Sequence, residues 1–229
     1  MTLKLTTYLA SFAVAAFTSS ASLAYTALAP QDSRLNVGLS LLEKTYEDDD
    51  NHTLDIDGNL LLIGYKAVLA PKFSLGGSFG LMMDGDITLN AGRNSVNLGG
   101  GSGYTLALDG DLIFTQVGQN DIIGLFSLSR DAYKFKEDGW KGEHSSTELM
   151  LGGGLRHNLN KVGLYAGLQF TLMSDGEWDT NNDKEDTEVE NKLDLHLAVT
   201  YAVDNAINLR GDLLLLGQET VLLGADFHI

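Results

Sequence analysis

Long stretches of this chain alternate with a period of two between large apolar residues and small or polar ones. That is the mark of a strand, not of a helix. Residues 73–83 put Phe73, Leu75, Gly77, Phe79, Leu81 and Met83 on one face, and Ser74, Gly76, Ser78, Gly80 and Met82 on the other. Residues 162–172 repeat the pattern, with Leu164, Leu168, Phe170 and Leu172 against Gly163, Gly167, Gln169 and Thr171. Residues 192–203 do so again, and the chain ends on the stripe Val221, Leu223, Ala225, Phe227, Ile229. Further stripes run through 34–45, 104–114, 146–157 and 206–216. Two segments, 53–68 and 121–135, read as strands that exchange faces midway, as a β-bulge would produce. The pattern amounts to about ten strands, each long enough to cross a bilayer when tilted.

The chemistry of the two faces says what surrounds them. The polar face is mostly Gly, Ser, Ala and Thr with scattered charges, which suits a narrow barrel interior. The apolar face is rich in leucine, which suits lipid. The longest unbroken apolar runs, such as Leu60–Ile63 and Leu213–Leu216, are far shorter than the ~20 residues of a membrane-crossing helix. Connections alternate between long (46–53, 84–103, 136–145, 173–187) and short (69–72, 115–120, 158–161, 204–205), with a last short one at 217–219. Outer-membrane barrels show this alternation of surface loops and periplasmic turns. The expected fold is therefore all-β, an antiparallel up-and-down transmembrane β-barrel of about ten strands, with eight as the alternative.

Residues 1–24 read as a cleaved secretory signal peptide. Lys4 precedes an apolar run from Leu5 to Phe17, and Ser22-Leu23-Ala24 offers small residues at the cut. Residues 25–229 are then the barrel, and the outer membrane is its expected location. The chain has no cysteine, so a disulfide frame or thiolate metal site is excluded. Acids outnumber bases 31 to 15, a net charge of −16, which excludes nucleic acid as a partner.

The last eight residues read Leu222-Leu223-Gly224-Ala225-Asp226-Phe227-His228-Ile229. With the strand pattern of 34–229, they resemble the small outer-membrane β-barrel proteins of Gram-negative bacteria, the opacity-protein and porin-family type with eight to ten strands. Gly224, Phe227 and Ile229 match the family's C-terminal assembly signal, although the family usually ends in an aromatic residue. The resemblance implies outer-membrane lipid and lipopolysaccharide as surroundings, and the barrel-assembly machinery as a partner of the last strand. It implies a structural or surface-exposed role with at most small-solute permeability. A narrow, porin-like diffusion channel is the alternative, and an omptin-like protease comes third. No cofactor is expected.

The face read as interior carries Asp109, Asp111, Arg130, Glu148, Arg156, Lys192, Asp194, His196, Arg210 and Asp212. Charges inside a narrow barrel must pair or meet water, so these are expected to form an internal ionic network. An omptin-like site would draw on Asp84, Asp86, Asp194 and His196, where an Asp–His couple activates water. The expectation is no catalysis, because the two pairs fall at different depths. In the acidic stretch 173–190, Asp179, Asn181, Asp183, Glu185 and Glu190 carry oxygen ligands at EF-hand offsets. Lys184 stands where the motif needs glycine, which leaves a weak divalent-cation surface or a charged, solvated loop. The run Gly99-Gly100-Gly101-Ser102-Gly103 reads as a flexible loop and not as a phosphate cradle.

Overall fold

The computed structural model describes residues 33–50, 52–91, 94–137, 140–180 and 184–229. The signal-peptide reading of 1–24 lies outside the described residues. The strands are β1 (Arg34–Asp48), β2 (Thr53–Ala70), β3 (Phe73–Ala91), β4 (Asn94–Leu98), β5 (Ser102–Val117) and β6 (Asn120–Glu137). They continue as β7 (Trp140–Leu159), β8 (Val162–Thr180), β9 (Lys184–Val189), β10 (Leu193–Ala202), β11 (Ile207–Leu215) and β12 (Gln218–His228). Ten of them, all but β4 and β9, close into an antiparallel barrel. The seam is β12 on β1, from Arg34 opposite His228 to Lys44 opposite Gln218. Closure pairs each of the ten barrel strands on both sides, so backbone N–H and C=O groups in the belt pair within the wall.

Side chains alternate across that wall except at a few bulges. On β1, Asn36, Ser40 and Lys44 point in, and Val37 and Leu39 point out. Outward-facing Leu61, Ile63 and Tyr65 on β2, Phe79 and Leu81 on β3, Leu106 and Leu108 on β5, and Leu164, Leu168 and Phe170 on β8 form an exposed apolar belt. On β3 the belt runs from Phe73 to Met83. At ~3.3 Å per residue and a tilt of ~40°, that is about 25 Å of height, the thickness of an outer-membrane hydrocarbon band.

Above the belt a different set of strands makes the wall. β10, β11 and β12 are short, and the β11–β12 turn lies low. β9 folds back from β8 and fills the space above it. It pairs with β8 from Gly176 opposite Thr187 to Asp179 opposite Lys184, and with β1 from Tyr46 opposite Val189 to Asp48 opposite Thr187. β4 folds back on β3, and its Leu98 packs in the same cluster as Phe135 of β6. The upper tier is thus β1, β2, β3, β4, β6, β7, β8 and β9.

Between the tiers the two faces exchange chemistry. In the lower tier the outside is apolar and the inside mostly polar, with a small apolar cluster of Ile123, Leu125 and Tyr165. In the upper tier the outside carries Glu43, Asp57, Asp84, Asp86, Arg130 and Lys134, and the inside carries Leu42, Tyr46, Leu54, Ile56, Tyr133, Phe135 and Trp178. This corrects the reading of 53–68 and 121–135. β2 and β6 run through without changing face: Ile56, Leu60, Leu62 and Lys66 all point in, as do Ile123, Ser127, Asp131 and Phe135. The bulges lie elsewhere: Met83 of β3, Phe114 of β5 and Leu172 of β8 are unpaired, and β2 carries its own irregularity only past 53–68, at Leu69.

The stretches read as long loops are largely paired strand. The glycine run is a packed descent from β4 to β5. Gly100 takes φ +66, and Gly101 donates its N–H to the Gly85 carbonyl at 2.7 Å. A Cβ on Gly101 would lie 2.6 Å from that oxygen and 2.6 Å from the Phe135 ring, so only glycine passes there.

Candidate functional site: the barrel interior

The strand parity that sends leucine outward sends the charged residues of the lower tier inward. Near the closed turns, Lys66 Nζ meets Asp111 at 2.6 Å, and Ser74 donates to the same carboxylate at 2.8 Å. Asp109 accepts from Ser127 at 2.8 Å. Arg156 clasps Asp121 through Nε at 2.9 Å and Nη2 at 2.5 Å. Arg34 faces Asp226 at 3.7 Å. Asp212 lies between Arg210 at 2.5 Å and His196 at 3.1 Å, and the other ring nitrogen of His196 meets Gln169 at 2.7 Å.

At mid-height Lys44 binds Glu148 and lies 3.9 Å from Asp131. Tyr46 donates to Glu148 at 3.1 Å and shares a hydrogen bond with Ser146 at 3.0 Å. Asp194 accepts the backbone N–H groups of Gly217 and Gln218 at 3.1 and 2.8 Å, which fastens the low outer turn between β11 and β12.

An apolar cluster fills the upper interior and, through Leu60, Leu62 and Leu222, reaches down below the level of Lys44. Leu42, Tyr46, Leu54, Ile56, Leu60, Leu62, Met82, Ile87, Leu98, Tyr133, Phe135, Trp178, Val189 and Leu222 form one buried cluster. Phe135 and Trp178 approach with ring centroids 6.4 Å apart, and Tyr46 packs on His144 at 4.2 Å. At the rim, the hydrogen bond that His52 Nδ1 donates to the Asp48 carboxylate at 2.9 Å raises the imidazole pKa above its ordinary value.

The structure brings Asp109, Asp111, Glu148, Arg156, Asp194, His196, Arg210 and Asp212 into the interior. It does not bring Arg130 or Lys192 there. Arg130 follows from the uninterrupted parity of β6: Asp131 takes the inward position, and Arg130 reaches out to Thr147 and Ser145 at 2.8 and 3.1 Å. Lys192 precedes β10 at the rim and pairs with Glu188 at 2.7 Å. Sequence reading missed Lys44, Lys66, Arg34, Asp121, Asp131 and Asp226. The signal was available, because Arg34 and Lys44 share the parity of Asn36 and Ser40, and Lys66 shares that of Gly64.

Two other readings change with the geometry. Asp84 and Asp86 point outward, whereas Asp194 and His196 point inward, so the wall itself separates the two halves of the omptin-like arrangement. The cation loop is a hairpin. Asp179 lies opposite Lys184, and Glu185 lies opposite the inward Trp178, so the two carboxylates take opposite faces. Asn181 and Asp183 lie outside the described residues. Glu190 lies beyond β9, and its N–H is held by the Thr45 carbonyl at 3.1 Å. Lys184 spends its charge on Glu177 at 2.5 Å.

Among solved structures, the outer membrane protease OmpT from Escherichia coli superposes with a TM-score of 0.58 at 9% identity, covering 90% of this chain and 100% of that one. The transport unit of the autotransporter AIDA-I from Escherichia coli superposes at 0.53 with 12% identity, covering 97% of each chain. The fold is that of an outer-membrane β-barrel. No family model and no curated protein sequence matches the chain. At such identities the likeness carries the architecture, and the interior described above is this chain's own.

Proposed function

We propose that this protein is an integral outer-membrane barrel, exported by its N-terminal segment, whose lumen is closed and whose role is structural or surface-exposed and not catalytic. The observation that carries the reading is the apolar cluster filling the upper tier. A conducting lumen needs a continuous wet path, and large buried side chains such as Ile56, Ile87, Phe135 and Trp178 occupy the interior of the upper tier. Most of the charges beneath them are held in ion pairs, such as Lys66 with Asp111 and Arg156 with Asp121. Separation of Asp84 and Asp86 from Asp194 and His196 by the wall speaks against water activation by that set.

Single-channel recording in planar bilayers tests the proposal. The wild-type barrel is expected to give no discrete openings. Phe135→Ala with Trp178→Ala is expected to give small ones, because it removes two facing rings from the plug. Discrete wild-type openings would overturn the closed-lumen reading in favour of a narrow diffusion channel.

A further inference from the structure

Among the described residues, the upper tier closes everywhere except between β4 and β6. β9 folds back from β8 and pairs on both of its edges, with β8 and with β1. β4 folds back from β3 in the same way but pairs with β3 alone. Its other edge looks toward β6. The two strands meet at the base, where Lys136 donates its N–H to the Gly99 carbonyl at 3.4 Å, and no ladder joins them above that point.

Strand alternation identifies the groups left over. Gly85 turns its carbonyl toward Gly101, so Ile87 and Leu89 turn their backbone groups to the same side. Their β4 partners Leu98 and Val96 therefore bond to β3, and Ser95 and Asn97 present their N–H and C=O groups to the open side. Both residues are exposed. An open edge of this kind is a template for another strand.

The flanks of the edge define the strand that fits. Leu98 belongs to the buried cluster, and Val96, of the same parity and two residues higher, is 50% exposed at the mouth. Trp140 of β7 shares the inward parity of buried Gly142 and is 59% exposed at the same end. Uncovered apolar side chains thus top the cluster beside the open edge. On the outer face of β6 and β7, Lys136 and Lys141 lie directly opposite each other. Among the described residues neither has a carboxylate partner, whereas Lys134 has Glu143 at 2.7 Å. Like charges so placed repel unless an anion lies between them. A strand laid along β4 sends alternate side chains to the two faces. Height excludes lipid as the occupant: Leu89, opposite Val96, is six residues past Met83 at the top of the belt, or ~20 Å along the strand and ~15 Å in height.

We propose that the open edge of β4 takes up an extended segment of a partner protein by strand addition, with apolar residues of the segment over Val96 and Trp140 alternating with acidic residues toward Lys136 and Lys141. The proposal deepens the surface-exposed reading above and rests on it.

The folded barrel, checked for heat-modifiable mobility and held in detergent, is titrated against fluorescent peptides by anisotropy. The probe is a short capped peptide alternating valine with glutamate. Its controls alternate valine with lysine, alternate serine with glutamate, or carry the probe sequence with every amide nitrogen methylated. The probe is expected to bind roughly tenfold more tightly than each control. Asn97→Pro should weaken it roughly tenfold, because proline there removes an outward N–H and leaves the β3–β4 bonds in place. Lys136→Glu with Lys141→Glu should exchange the preference for that of the valine–lysine peptide, and Glu43→Gln with Asp57→Asn on the far wall should change nothing. Undiminished binding of the methylated peptide, undiminished binding by the Asn97→Pro barrel, or an unchanged preference after charge reversal would overturn the proposal. A barrel that pairs with itself, and ceases to with Asn97→Pro, would overturn the partner assignment in favour of a second copy. The probe should also label intact cells. Labelling only after the outer membrane is opened would overturn the surface-exposed reading and leave the edge site standing.

Discussion

Replacing Lys44 with Met asks whether the lumen is dry. Lys44 and Glu148 are buried and bound to one another, and Asp131, also buried, lies 3.9 Å from the same ammonium. Deleting the ammonium leaves two carboxylates facing each other beneath the apolar plug, with no cation to balance them. Breaking a buried pair by removing one partner costs about 3–5 kcal/mol, because the surviving charge stays desolvated. Asp131→Asn, Glu148→Met and Lys44→Met together remove every member and should return stability to within ~1–2 kcal/mol of wild type. Equilibrium urea unfolding of the vesicle-folded barrel gives both numbers. Trp178, inside the cluster directly above, reports the loss of packing by its fluorescence. A single-variant cost below ~1 kcal/mol that shrinks further with added salt is the behaviour of a solvated pair. That result would refute the dry-lumen reasoning, and the closed-barrel proposal would lose its support.

Three other perturbations probe the wall. Leu168→Arg puts a charge on the belt and should cost about 2–4 kcal/mol in the same unfolding assay, whereas the inward Gln169→Ser loses one hydrogen bond to His196 and should cost about 1 kcal/mol; the reverse ranking would mean the faces are exchanged. Leu216 holds φ +96 at the exposed turn between β11 and β12, so Leu216→Gly should raise stability by roughly 1 kcal/mol, and a loss there would show that the leucine side chain packs on something. Deleting Phe227–Ile229 removes the last rungs of the seam opposite Arg34 and Leu35, and heat-modifiable barrel should fall sharply; normal amounts would show that β12 closes without them.

How far the sequence could be read depended on which solvent each face meets. Strand parity sufficed for β3, β8, β10 and β12, where one face is apolar throughout the belt, and for inward Asp109, Asp111, Arg156, His196 and Asp212. It misled on β2 and β6, because these strands cross from the belt into the upper tier. Ile56 and Phe135 are apolar because they face a core, and Leu61 and Leu128 are apolar because they face the belt. A reader who expects one apolar face inserts a bulge to reconcile them, and that step sent Arg130 inward. The hairpin of β8 and β9 was hidden for a related reason. Its outer face is acidic enough to read as a loop, and its inner face reveals itself only through the sparse Trp178, Thr187 and Val189.

The exchange of chemistry between tiers also accounts for the ions in the lower lumen. Lipid fixes the outer face as apolar, and a narrow interior could have been packed with aliphatic side chains at no electrostatic cost. Both faces would then be apolar, and a strand shifted by one residue would meet almost the same surroundings. Period-two geometry makes such a slip exchange every side chain across the wall. With Lys66 on Asp111 and Arg156 on Asp121, the slipped strand pushes a charge into lipid, at about 2–4 kcal/mol near mid-membrane, and strands its partner inside. Above the belt the penalty comes from the opposite side. A slip there would carry Ile56, Tyr133 and Phe135 into water and Asp57 and Lys134 into the core. Each tier therefore holds its register by the contrast between its faces, and the polar lower lumen supplies that contrast where the surroundings cannot.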